Sequence, residues 1–86
     1  MTYRLRQESL EWREVEGEIV GLDLRGSTYF ALNRTASALW PSLSEGATRE
    51  QLVSRLCSAF DADQASASRD VDVFLDSLRD RGLLAR

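Results

Sequence analysis

GSTYFALN, residues 26–33, is the stretch on which the fold turns. Gly26-Ser27 signals a turn, Thr28–Leu32 is β-prone or apolar, and Asn33 is a residue type that caps helices. Working backwards, Glu18–Leu24 alternates, with Val20, Leu22 and Leu24 on one face and Ile19, Gly21 and Asp23 on the other. Arg25-Gly26-Ser27 then serves as a hairpin connection, so Thr28–Leu32 returns antiparallel. Further back, Glu16-Gly17 is a turn and Leu10–Val15 a first strand, with Tyr3–Arg6 an entry segment or short extension. The result is a three-stranded meander.

Working forwards, Asn33 starts a helix through Ala36, Leu39 and Trp40 that Pro41 ends or kinks. Ser44–Ala47 reads as a loop. Thr48 caps a second helix, with Gln51 placed to complete a capping box and Leu52, Val53, Leu56, Cys57 and Phe60 at helical spacing. After a break at Asp61–Gln64, a third helix beginning near Ala65 or Ser66 carries Val71, Phe74, Leu75 and Leu78 on one face. Gly82 stops it, and Leu83-Leu84 folds back onto the core. The order βββααα predicts an α+β, winged-helix-like domain, a single one spanning residues 1–86.

The composition excludes several function classes. The 86 residues are 43% hydrophobic and 29% charged, as expected of a globular chain with one core. No apolar run suits a membrane span or a signal peptide, so the expectation is a cytoplasmic protein. All 11 cationic side chains are arginine, yet the net charge is −3, which argues against a nucleic-acid binder. With no histidine and one cysteine, a Ser-His-Asp or Cys-His arrangement is impossible within the chain, and no usual zinc set can form. Cys57 is expected to be a buried small hydrophobe. Asp61-Ala62-Asp63 faintly resembles a calcium loop, but Ser66 stands where that loop needs glycine, so these acids read as helix-capping. Neither a catalytic residue nor a cofactor is expected.

A binding surface is the better expectation. Thr28–Leu32 has the middle strand on one side and no assigned neighbour on the other, and it carries no Lys, Pro or internal charge to discourage pairing. An extended peptide can dock on such an edge by β-addition. On the third helix, Val73 and Ser77 extend the Phe74 side away from the buried stripe, with Asp70 and Arg81 nearby. Beside an open strand, they would form a groove with apolar pockets and charged lips.

The chain also resembles a family. Leu22-Asp23-Leu24 before the hairpin, Tyr29–Asn33, Thr35-Ala36 with Leu39-Trp40, and Leu78 with Arg81–Leu84 are similar in order and spacing to the PqqD-like proteins, the recognition elements for precursors of ribosomally made, modified peptides (RiPPs). Its Leu-Asp-Leu strand and Asn-x-Thr-Ala-x-x-x-Trp helix resemble the free-standing actinobacterial form found with lasso peptide biosynthesis. The resemblance implies a leader-peptide binder without enzymatic activity, partnered by a leader peptidase of cysteine-protease type. It implies contacts from Thr28, Tyr29, Phe30, Ala31 and Leu32, the backbones of Tyr29, Phe30 and Ala31 pairing with the leader. Pocket walls would come from Val71, Phe74, Leu75 and Leu78, with Val73, Ser77, Asp70 and Arg81 around them. Asn33, Trp40 and Gly82–Leu84 are implied to be structural. The alternatives are a winged-helix DNA-binding regulator, disfavoured by the four Asp on the third helix, and a recognition element of another RiPP pathway.

Overall fold

The computed structural model describes residues 1–85. The elements are β1 (Thr2–Tyr3), β2 (Leu10–Val15), β3 (Glu18–Asp23), β4 (Thr28–Ala31), α1 (Arg34–Glu45), β5 (Ala47–Thr48), α2 (Arg49–Phe60) and α3 (Gln64–Asp80). The main sheet is an antiparallel meander in the order β2-β3-β4, and three helices follow it, as the sequence predicts.

Register explains which face is buried. Trp12, Gly21 and Phe30 lie side by side across the three strands. Phe30 is buried, and its ring meets that of Trp40 on α1 at 5.4 Å, while the Trp12 ring stands edge-on to Trp40 at 6.0 Å. Ile19 is buried on the same face. The Val20, Leu22 and Leu24 face points outward, leaving Leu22 and Leu24 exposed beside Tyr29 and Val15. The helices close the core with Leu39, Trp40 and Leu43 from α1, Leu52, Val53 and Leu56 from α2, and Ala67, Val71, Leu75 and Leu78 from α3.

Gly21 is glycine for a steric reason. A Cβ there would stand 2.3 Å from Phe30 Cζ and 2.8 Å from the Glu11 carbonyl oxygen. The middle strand thus gives up a side chain so that the Phe30 ring can cross it toward Trp40.

Several local expectations need correction. The Pro41 ring neither ends nor limits α1, which continues to Glu45. Proline removes one helical hydrogen bond, but burial of Leu39, Trp40 and Leu43 on either side of it holds the helix together. Ser44 and Glu45 are therefore helical; Gly46 is the cap, at φ 100°. Ala47–Thr48 is not loop but strand, pairing antiparallel with Thr2–Tyr3. α3 begins at Gln64, earlier than expected, because Asp63 is its N-cap and accepts from the Ser66 N–H at 2.8 Å. Cys57 is half-buried. The Thr48–Gln51 capping box is present in both directions, at 3.1 and 2.8 Å.

The chain ends are tied to each other. Leu5 bridges Leu84, Arg6 N–H donates to the Leu83 carbonyl at 2.8 Å, and Ala85 N–H donates to the Arg4 carbonyl at 2.7 Å. The Arg6 guanidinium pairs with Asp23 and also donates to the Gly82 carbonyl at 2.6 Å. One side chain thereby joins the end of α3 to the end of β3.

Candidate functional site

The edge of β4 is built by a hydrogen-bond pattern that the sequence sets up. Leu32 N–H donates to the Ile19 carbonyl at 2.9 Å, so Leu32 faces β3. Backbone groups of successive strand residues point to opposite sides, so Phe30 and Thr28 also face β3 while Tyr29 and Ala31 turn their N–H and C=O away from it. The order β2-β3-β4 leaves that outward side without a strand partner among the described residues. Phe30 is thus committed twice, its ring to the core and its backbone to β3. The main-chain groups available to a peptide belong to Tyr29 and Ala31.

Ser37 closes the end of this ladder. Its buried hydroxyl accepts from the Ile19 N–H at 2.8 Å and donates to the Leu32 carbonyl at 3.3 Å, taking the place of a direct strand–strand bond. The start of α1 is thereby held against the end of β4. Asn33 completes the junction by accepting from the Ala36 N–H at 2.8 Å.

Beyond Ala31 lies a groove of about 480 Å³, running between the β4–α1 junction and α3. Ala36, Leu39, Phe74, Leu78 and Leu83 give it apolar walls, Arg69, Asp70, Val73 and Ser77 line it from α3, and Arg81 lines it from the helix C-cap. At helical spacing, residues 70, 73–74, 77–78 and 81 form one stripe down that helix. Val73 is 65% exposed and Phe74 half-buried, whereas Val71 and Leu75 are fully buried. The division between groove and core is therefore sharp: Val71 and Leu75 do not reach the groove. Of the strand residues named from sequence, Ala31 and Leu32 line it directly; Thr28 and Tyr29 are exposed on the strand beside it.

Asn33, Thr35, Ala36, Leu39, Arg69 and Leu83 also line the groove and were not among the expected site residues. For Asn33 and Leu83 the cause is a double role, since a cap and a core-closing leucine each satisfy a structural reading. Thr35 and Ala36 occupy the first turn of α1, whose position over the groove depends on the buried Ser37 contact. Among the described residues, no group of three or more His, Cys, Asp or Glu could hold a metal ion, and no helix is long and apolar enough to cross a membrane.

Three carboxylates of this fold, Asp23, Asp63 and Asp72, have structural roles. Partial desolvation works against an ionised Asp23, but hydrogen bonds from the Arg6 guanidinium and the Arg25 N–H outweigh it and hold the carboxyl below its usual range. Asp72 is held low by its two bonds from Arg49, at 2.7 and 3.0 Å, which link α2 to α3. Asp63 is held low chiefly by the Ser66 N–H that it caps.

Comparison with known proteins bears on this geometry. Searching the curated proteins finds no match to the chain. Two solved structures match closely. One is described as TbiB1 in complex with the TbiA(beta) leader peptide, at 30% identity and a TM-score of 0.86, with 94% of this chain and 93% of that chain covered. The other is a lasso peptide synthetase B1 complexed with the leader peptide, at 26% identity and a TM-score of 0.83, with 98% of both chains covered. The family profile described as coenzyme PQQ synthesis protein D (PqqD) matches residues 18–84, from the first residue of β3 to the segment that closes against Leu5, and on that extent the chain belongs to the PqqD family.

Proposed function

We propose that this protein captures the leader of a ribosomally made precursor, of the lasso peptide type, as an added strand on β4. It then presents the precursor to a separate leader peptidase in the cytoplasm. The observation that carries the reading is the edge of β4, where Tyr29 and Ala31 turn their backbone groups away from β3 beside an apolar groove. The main-chain groups supply affinity, and the groove selects side chains.

The two edges of the sheet support this choice of strand. β2, the other edge, carries Glu11, Arg13 and Glu14, charges that discourage strand pairing. β4 reads Thr-Tyr-Phe-Ala and carries none. The leader complexes of the two similar structures support the ligand class. A separate peptidase of cysteine-protease type fits a chain that has no histidine to activate its single cysteine.

The test is calorimetric titration with the synthetic leader of the short precursor encoded beside this protein. Phe74→Asp places a charge on the groove wall, and its circular dichroism spectrum and melting curve report whether the variant is folded. The expected result is a loss of at least tenfold in affinity with an unchanged helical circular dichroism spectrum. Undiminished binding by the folded variant would move the peptide site away from the groove.

A further inference from the structure

The groove is electrically asymmetric along its length. Toward the start of α3 it is lined by Arg69 and Asp70, adjacent residues of opposite sign, and Arg69 also faces Asp63 electrostatically. Toward the end of α3 it is lined by Arg81 alone among charged residues. The ion pairs of the described residues are Arg6–Asp23, Arg49–Asp72 and Arg79–Asp76, and none engages Arg81. Asp80 precedes Arg81 in the chain but does not line the groove. Among the described residues, a cation therefore stands without a carboxylate partner at one end of an otherwise balanced apolar trough.

The fold also gives that trough a direction. Arg6 binds both the Gly82 carbonyl, at the end of α3, and Asp23, which lies opposite Thr28 at the start of β4. From that junction α3 runs back along the groove, whose lining includes Ala31, Leu32, Asn33 and Thr35 at the other end of β4, and Arg69 stands about 18 Å up the helix from Arg81. β4 and α3 thus run in opposite senses. A peptide joining this antiparallel sheet antiparallel to β4 runs in the same sense as α3, with its later residues toward Arg81. From Phe74 to Arg81 is seven residues, about 10 Å along a helix, which an extended strand covers in about three residues.

Resting on the peptide-binding reading above, we infer that Arg81 is a specificity-determining residue: it selects a peptide that carries an Asp or Glu two or four residues downstream of the apolar side chain seated against Val73 and Phe74, the spacings nearest to ~10 Å that put both side chains on one face of the strand. The carboxylate fixes register, since a strand displaced by one residue turns that side chain to the opposite face of the sheet. It also opposes reversed docking, which would bring the acid toward Asp70.

A charge-swap titration tests this. The probe is the synthetic leader of the precursor encoded beside the protein, used as such and as a series with single lysine substitutions, and its apolar anchor is located by alanine substitution. Against the wild-type protein, lysine at the acidic position downstream of the anchor should cost about fivefold or more in affinity. Arg81→Glu should bind the unmodified leader more weakly by a similar factor and recover affinity for that one lysine peptide. Arg81 is exposed, so Arg81→Glu should melt like the wild type, which a thermal scan checks. Unchanged binding by Arg81→Glu, or the absence of any lysine position that it rescues, would overturn the assignment. Phe74→Asp separates the two levels: if it fails to weaken the unmodified leader, the groove reading falls and the Arg81 assignment falls with it.

Discussion

Gly21 and Ser37 show how single residues position the groove without touching it. Gly21 lets the Phe30 ring cross β3, and a methyl group there meets backbone at 2.8 Å as well as the ring, so a side-chain shift alone cannot relieve it. Gly21→Ala should destabilise the fold by roughly 1–3 kcal/mol, read from urea unfolding midpoints. Ser37→Ala would leave the buried Ile19 N–H without an acceptor and should cost roughly 1–3 kcal/mol by the same measurement. Gly21 could be placed on the Ile19 and Asp23 face from alternation alone, but Ser37 could not be singled out among the serines of this chain. Its role depends on α1 folding back to β3, which is a long-range contact. The same limit applied to Val71 and Leu75. They share a helical face with Leu78, and whether that face is groove or core depends on which neighbour covers each residue.

At the scale of elements, the strands and helices with strong periodicity were legible and the two-residue strands were not. β2, β3 and β4 alternate or follow turn signals, and α2 begins at a full capping box. β1 and β5 are too short to show a period, and each exists because the other is nearby. The Pro41 and Asp63 corrections have a common physical source. Local propensity argued for ending or delaying a helix, while buried leucines in α1 and a capping carboxylate before α3 argued for continuing it. The element on which the proposed binding rests is β4. Ala31→Pro removes an N–H that points away from β3, so the sheet keeps its internal bonds while an added strand loses a donor. That variant should bind the leader roughly tenfold less tightly and melt within a few degrees of the wild type. A change that lowers the melting temperature strongly would mean that the Ala31 N–H serves the sheet itself.

For the molecule as a whole, the chain ends and the charge network hold the sheet and α3 in the relation that opens the groove. Leu5 against Leu84 and Arg6 between Asp23 and Gly82 are contacts between distant segments that sequence pattern could not reveal. Asp23, Asp63 and Asp72 each have a lowered pKa in the folded chain. Such a group binds its proton more readily when unfolded, so its stabilisation is present above the unfolded value, about 3.9, and is lost as pH falls through the folded value. Thermal stability should therefore drop on acidification below about pH 4, and Arg6→Met should reduce the Asp23 part of that dependence. With no histidine, no imidazole titration adds a step near neutral pH. The central claim is that the open side of β4 is reserved for a peptide strand. It is tested most directly by following backbone amide signals by NMR while titrating the synthetic leader of the neighbouring precursor. The account predicts the largest shifts at Tyr29, Ala31 and along Asp70–Arg81, with the Tyr29 and Ala31 amides newly protected from exchange while the β2 edge stays unchanged. Saturable binding that leaves the Tyr29 and Ala31 amides unshifted and unprotected would contradict it.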